Sequence, residues 1–249
     1  EPPHPPYKLK HKIEFTNPEK VILRQPEFTK KDVLDYYHQI ATYILPNMKD
    51  RPLLICTSAR NIEYSTLEAL SENEQDEMPG WMQTTQVAKG KEHLLLSNDE
   101  EHLLFYVEKG GVEFRASNIR KKSINTPDYI VIKIDSDSEF DKVVNVAITG
   151  NEILTGLALP SFVVTDGLSG LLIYIPLDGK GDFETCRSAA EYLCKLVRLK
   201  IPELVMLQGD GNHSYGKVSL DFTFNEAGKY IVSPYSLLRD HLTVATPLS

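Results

Sequence analysis

Pro127-Asp128-Tyr129-Ile130-Val131-Ile132-Lys133-Ile134-Asp135-Ser136-Asp137 is the stretch on which the reading of this chain turns. Residues 129 to 134 are largely apolar and β-branched and follow a proline, which predicts a central strand ending at Asp135. Side chains alternate along a strand, so Asp135 and Asp137 fall on one face with their α-carbons roughly 6.5 Å apart. Two ionised carboxylates that close repel unless a cation lies between them. A hard divalent ion such as Mg²⁺ suits them, because it takes oxygen ligands and shares them with substrate phosphates. A third strand-borne acid, Asp221 in Val218-Ser-Leu-Asp221-Phe222, completes the cluster if its strand lies next door. Three convergent carboxylates are what two-metal phosphoryl or nucleotidyl transfer requires. With 35 acidic residues, an Asp-x-Asp also arises by chance, so the pair alone decides nothing.

Outward from this strand, a helix is expected from about Glu139 to Leu159, weakened by Gly150 and Gly156. Phe162 to Thr165, a turn at Asp166 to Gly170, and Leu171 to Ile175 read as a hairpin. Phe183 to Lys200 reads as a helix and Lys217 to Phe224 as a strand. Upstream, Thr29 with Asp32 marks a helix start. Val33, Leu34, Tyr37, Ile40, Ala41 and Ile44 continue it at helical spacing, and Pro46 is expected to stop it. Leu53 to Cys56 reads as a buried strand. Asn98 is expected to cap a helix through Leu103, Leu104 and Val107, with Gly110-Gly111 ending it and Val112 to Phe114 strand-like. Residues 71 to 80 are acidic and unpatterned, as in an exposed loop. Strands and helices are mixed rather than strictly alternating, which favours an α+β or mixed α/β fold. Residues 1–12 read as an extended Pro-rich arm with Lys8, Lys10, His11 and Lys12, and 13–249 as a single domain.

Composition narrows the function classes. Hydrophobic residues make up 41%, enough for a sizeable core. No apolar run reaches the length of a membrane span, and no charged-then-apolar leader is read at the start. The chain opens on Glu1 rather than Met, as expected of a piece of a longer protein. Three widely spaced cysteines, Cys56, Cys186 and Cys194, form no Cys-x-x-Cys pair, and a reduced, cytoplasmic setting is the natural expectation. The seven histidines include no His-Glu-x-x-His. A net charge of −8 and a pI near 5.4 are unlike a nonspecific nucleic-acid coat protein, so a nucleic-acid partner demands a local basic patch.

Taken in order, the segments resemble the polymerase domain of bacterial ligase D, the end-joining polymerases of the archaeo-eukaryotic primase superfamily. The likeness begins at Thr16-Asn-Pro-Glu-Lys20-Val and runs through Thr29-Lys30-Lys-Asp, Asp35-Tyr-Tyr and Arg51-Pro-Leu. It resumes at Gly110-Gly-Val-Glu-Phe, Pro127-Asp128 and Asp135-x-Asp137, then Thr165-x-Gly167-x-x-Gly170-Leu and Tyr174-Ile-Pro-Leu177. It closes on Gly216-Lys-Val-x-x-Asp221, Asn225, Pro234-Tyr-Ser-Leu237 and Val244-x-x-Pro247. Residues about 58 to 98 align poorly. The resemblance implies a primase-like fold with an RRM-like catalytic sheet flanked by helices. It implies Asp135, Asp137 and Asp221 as catalytic ligands of Mg²⁺ or Mn²⁺, and Lys20 and Lys30 as the grip on the 5′-phosphate of a DNA end. Around the nucleotide it implies Arg115, Thr165, Gly167, Ser169, Lys217, Asn225, Tyr235, Ser236 and Arg239. The implied partners are 5′-phosphorylated DNA ends, nucleoside triphosphates, and a ligase domain or end-binding repair protein.

The departures cluster where the triphosphate and sugar are held. The family's Ser, Lys and His in its Thr-Ser-Gly-rich stretch stand here as Asp166, Ser169 and Leu172. Its Glu-Leu-His is Glu113-Phe-Arg115, and the Arg of its Tyr-Ser-Leu-Arg is Leu238, with Arg239 adjacent. The Arg before the third acid is Ser214, and the one after Arg-Pro-Leu is replaced at about Thr57. Each lost charge-assisted contact is worth about 1.5–3 kcal/mol, so nucleotide use falls by orders of magnitude unless Arg115 or Arg239 compensates. Two readings follow: a metal-dependent nucleotidyltransferase at DNA ends, or a paralogue that binds ends without efficient synthesis. A phosphohydrolase reusing the acids has only the Asp-x-Asp behind it. Trp81 reads as a loop anchor, with base stacking as the alternative. Arg120-Lys121-Lys122 reads as solvated loop charge, and Cys186 and Cys194 as packing residues.

Overall fold

The structure is a computed structural model that describes residues 7–24, 27–57, 63–66, 78–86, 92–136, 139–210 and 216–248. Asp137, His213 and Ser214 lie outside the described residues, as do 71–77 of the acidic loop and 1–6 of the arm. The chain divides into two compact units, Glu1–Lys122 with Val232–Thr243, and Ser123–Ile231 with Val244–Ser249.

The first unit opens with the short hairpin β1 (Val21–Arg24) and β2 (Glu27–Thr29), which runs directly into α1 (Lys30–Met48). The expected capping box is present: Thr29 Oγ1 accepts from the Asp32 amide while the Asp32 carboxylate accepts from the Thr29 amide. Pro46 does not stop α1 as expected but sits inside its last turn. So close to the end a proline removes a single intrahelical bond, and Ile44 and Met48 are fully buried on either side. Next come β3 (Leu53–Thr57), β4 (Glu63–Tyr64), the hairpin β5 (Thr84–Gln86) and β6 (His93–Leu95), and α2 (Glu100–Glu108). The cap of α2 is Asp99, whose carboxylate accepts from the His102 amide, and not Asn98. Asn98 is taken by the Asp50 amide, which donates to its Oδ1 at 2.6 Å, and by Gln83. β7 (Gly111–Ala116) then pairs with β3. Residues 7 to 12 lie against this unit: Tyr7 donates to Asp35 at 2.8 Å, and His11 bonds Glu101 and stacks on Trp81.

The second unit forms around the quoted strand. β8 (Tyr129–Asp135) is followed by α3 (Phe140–Gly156), the hairpin β9 (Phe162–Thr165) and β10 (Leu171–Pro176), α4 (Phe183–Lys200), β11 (Val205–Leu207) and β12 (Val218–Asp221). The sheet order is β11-β12-β8-β10-β9, with β8 central as the sequence predicts. The run β8-α3-β9-β10-α4-β11 has the βαββαβ order of RRM-like folds, with β12 as the antiparallel neighbour of β8. Ile130, Ile132 and Ile134 point to one face and pack with Val143, Val146, Leu193 and Val197 of the two helices. That alternation puts Val131, Lys133 and Asp135 on the opposite face.

The β12 strand is shorter than the Lys217 to Phe224 expected. Its register, Asp221↔Lys133, would place Thr223 opposite Val131. Instead Asp221 Oδ1 accepts from the Thr223 amide and hydroxyl at 2.8 and 2.7 Å, and a 3₁₀ turn (Thr223–Asn225) follows. The side chain of Asn225 then takes the place of the missing strand: Oδ1 accepts from the Val131 amide and Nδ2 donates to the Val131 carbonyl. The strand at the boundary of the units is β13 (Ile231–Val232). Among the described residues no helix is long and apolar enough to cross a membrane.

Candidate active site

Adjacent strands bring Asp135 and Asp221 to one face of the second unit's sheet. Antiparallel pairing sets Ser219 opposite Asp135 and Asp221 opposite Lys133, so all four side chains share that face. The Asp135 carboxylate accepts from the Ser169 hydroxyl at 3.1 Å and the Ser136 amide at 2.9 Å on Oδ1, and from Lys133 Nζ at 2.8 Å on Oδ2. Burial pushes its pKa up, but the Lys133 bond and charge, then Ser169 and Ser136, outweigh it and leave the carboxyl below its ordinary value. Both bonds to Asp221 fall on its Oδ1.

Lys133 is the residue that sequence reasoning passed over. Its ammonium lies 2.8 Å from Asp135 and 3.2 Å from Asp166. Burial lowers its pKa, yet the bond to and charge of Asp135, followed by those of Asp166, raise it on balance. The signal was available: Lys133 is the one charged side chain among Tyr129 to Ile134, two residues before Asp135 and so on its face. Asp166, which stands where the family has a serine, is charge-compensated by this ammonium. Its Oδ1 accepts from the amides of Leu168 and Gly170 at 2.8 and 2.9 Å, closing the β9–β10 turn. Gly167, at φ 82, takes the turn's left-handed position. At Gly170 a Cβ would lie 2.6 Å from Asp166 Oδ2 and 2.8 Å from the Ile134 carbonyl, so only glycine permits this approach.

Other candidates of this unit serve the scaffold. Thr165 is bonded to the C-terminal segment, its amide donating to the Thr246 carbonyl and its hydroxyl accepting from the Thr246 amide, each at 2.9 Å. Lys217 Nζ donates to the Pro202 carbonyl at 3.0 Å. Asn225 is fully buried, with its amide committed to Val131 and Phe222.

In the first unit, Arg115 and Arg239 meet on a buried carboxylate. Arg115 Nε donates to Glu113 Oε1 at 2.6 Å, the Arg239 amide donates to Glu113 Oε2 at 3.2 Å, and the Arg239 guanidinium pairs with Glu63 at 2.7 Å. Glu63, Cys56 and Glu113 stand in one cross-strand row. Burial, then the Glu113 charge, pushes the Cys56 thiol up to about 12, so it stays protonated and inert. Ser236 is fully buried, accepting from the Phe114 amide and donating to the Leu237 carbonyl. Tyr235, at φ 69, gives its carbonyl to the Tyr36 hydroxyl. Lys30 is 6% exposed, donating to the Thr16 carbonyl at 2.9 Å and pairing with Glu108 at 2.6 Å. Lys20 is exposed, and its carbonyl accepts from the Lys30 amide. Trp81 packs on His11, His102 and Phe105, as a loop anchor does. Arg120 and Lys121 are tied to the turn after α1 through the Lys49 carbonyl and Asp50. Cys186 and Cys194 are buried and free.

The LigD primase-polymerase domain profile matches residues 29–249. The chain belongs to that family. It is similar to the multifunctional non-homologous end joining protein LigD of Mycolicibacterium smegmatis, 27% identical over 95% of this chain and 32% of the relative. It is also similar to the bifunctional LigD of Bacillus subtilis, 26% identical over 95% and 39%. The chain thus spans about a third of the length of these LigD proteins. The polymerase domain of Mycobacterium tuberculosis ligase D, solved in complex with DNA, shares the fold. Its TM-score is 0.85 at 24% identity, covering 96% of this chain and 87% of that one. The mixed α+β, primase-type fold expected of a LigD polymerase domain is therefore the fold observed.

Proposed function

We propose that this LigD-family domain carries out metal-dependent nucleotidyl transfer at 5′-phosphorylated DNA ends. The observation that carries the reading is the convergence of Asp135 and Asp221 on one face of neighbouring strands, each with carboxylate oxygen directed off the sheet's apolar side. Among the described residues no three acid, histidine or cysteine side chains gather into a metal cluster, and Asp137 lies outside them. The donors that are described, carboxylate oxygens on a rigid sheet, suit Mg²⁺ or Mn²⁺. Asp135, Asp137 and Asp221 would hold the ion, which would neutralise charge developing on the transferred phosphoryl group. Ser169 would orient Asp135 meanwhile.

For the DNA end, the lysines divide the work. Lys20 is exposed and presents its ammonium as a point charge for a 5′-phosphate. Lys30 braces the loop that carries it, through the Thr16 carbonyl and its own amide to Lys20. A second reading, an end-binding module without efficient synthesis, is favoured by one observation: Arg115 and Arg239, the residues able to replace the lost triphosphate contacts, are already paired with Glu113 and Glu63.

Mn²⁺-dependent incorporation on a gapped, 5′-phosphorylated duplex tests the two, with Asp135→Ala/Asp137→Ala as control. Incorporation abolished by the double change supports transfer. Retention of the duplex that requires the 5′-phosphate and Lys20, without incorporation, supports the binding module. Neither activity would sink both.

A further inference from the structure

We propose that Lys133 is a resident cation of the acid site, holding Asp135 in the metal-free protein and yielding it to a divalent ion by withdrawing onto Asp166. The inference rests on the metal reading above and concerns what sets the affinity of that site. Lys133 Nζ bridges two carboxylates, at 2.8 Å from Asp135 Oδ2 and 3.2 Å from Asp166 Oδ2. The two partners differ in kind. The Asp166 side chain is 6% exposed and fixed by two turn amides and the bare α-carbon of Gly170. That of Asp135 is 38% exposed and open to solvent. A divalent ion on Asp135 and an ammonium on the same oxygen repel, so one excludes the other. Lysine is suited to the exchange, since its compact charge rides on a flexible four-carbon stem and can pivot from one carboxylate to the other. Asp166 then has a purpose that a phosphate-binding turn would not give it: it keeps the displaced ammonium paired in a half-buried position, where an unpaired charge would be costly.

The arrangement predicts a weak divalent site that deletion of the ammonium strengthens. Mn²⁺ binding to the whole chain, followed by the electron paramagnetic resonance of the free ion, is measured for wild type, Lys133→Met, Lys133→Arg and Asp135→Asn. Lys133→Met is expected to bind roughly tenfold or more tightly than wild type, from removal of one unit charge near the ion, and Lys133→Arg to stay weak. Equal affinity of wild type and Lys133→Met, with Asp135→Asn losing the ion, overturns the resident cation and leaves the metal reading intact. No binding by either wild type or Lys133→Met overturns both. If Lys133→Met does not fold, Asp166→Asn decides, because its amide oxygen keeps the two turn bonds. With no second carboxylate to receive the ammonium, its Mn²⁺ affinity is expected to fall severalfold, and an unchanged or tighter site overturns the proposal.

Discussion

The two units each build a charged cluster on a sheet, and they share out their cations differently. In the first, Glu113 is buried and accepts from the Arg115 guanidinium and the Arg239 backbone amide, while Glu63 pairs with the Arg239 guanidinium. Each guanidinium has a carboxylate of its own, with Asp240 a further 3.9 Å from Arg239 Nε, so no cation there is shared between two buried acids. In the second, one ammonium, Lys133, serves Asp135 and Asp166, with Asp221 on the same face beyond it. Among the described residues one cation is shared there by two acids, and the more exposed of the two is Asp135. A self-compensated cluster contributes order to its unit, because breaking it strands a buried charge. An acid-rich one is left with an attraction for a further cation. The difference teaches where to look for function: an exposed acid that shares its cation, rather than the number of charged side chains, separates a candidate site from a brace.

The largest expected effect breaks the first cluster. Glu113→Ala leaves the Arg115 guanidinium and the Arg239 backbone amide without their buried acceptor and is expected to cost about 3–5 kcal/mol of stability, read from urea unfolding. A loss under about 1 kcal/mol, the range of exposed pairs, would mean that the cluster is solvated and its arginines available to phosphates. Next is Asn225→Ala, which strips both the amide and the carbonyl of Val131 of their partner inside the sheet. The expected cost is about 2–3 kcal/mol. A changed nucleotide KM at unaltered stability would return Asn225 to the nucleotide site.

A smaller effect sharpens the second cluster through pH. The Asp135 carboxyl is held below its ordinary value, so its folded-state pKa lies below that of the unfolded chain. The ionised form is therefore favoured by folding. This contribution is fully present above the unfolded value of about 3.9 and is lost as pH falls through the folded pKa. The stability advantage of wild type over Asp135→Asn, measured without divalent ions, should be constant from neutral pH down to the unfolded value and shrink below it. An advantage that grows in acid would contradict the Lys133 pairing.

What was legible in the sequence was whatever local chemistry decides. β8 declared itself by a β-branched run, interrupted only at Lys133, that ends in acid, the start of α1 by its capping box, and the hairpin by apolar runs flanking Asp166 to Gly170. Where tertiary partners decide, reading failed. Pro46 is tolerated because burial of Met48 outweighs one missing bond. Asn98 lost its capping role to Asp99 because the Asp50 amide, 48 residues away, claims its side chain. The side chain of Asn225 is held by Val131, 94 residues distant, a pairing that spacing could not announce. At the site, the shared face of Lys133 and Asp135 was readable from alternation, while the pairing of Lys133 with Asp166 depends on a β8–β10 register that no local pattern announces.

The smallest effect tests whether the acid face is independent of the core behind it. Ile132, Ile134 and Leu220 turn away from the acids and, with Gly150 of α3 and Val197 of α4, line an apolar cavity of about 20 Å³. A Cβ at Gly150 would lie 3.5 Å from Ile173 Cδ1 and 4.0 Å from Val197 Cγ2, ordinary contact distances. Gly150→Ala therefore adds packing without a clash and removes the entropic penalty of glycine within a helix, a stabilisation of about 1 kcal/mol. In a chain of this size that raises the melting midpoint by about 2–4 °C. The same variant should bind Mn²⁺ as wild type does, since alternation sends the core and acid side chains of β8 to opposite faces. If the midpoint rises and the affinity shifts with it, strand position rather than the Lys133 ammonium governs the site, and the contrast between a closed brace and an open, cation-seeking cluster would need a mechanical term in place of a purely electrostatic one.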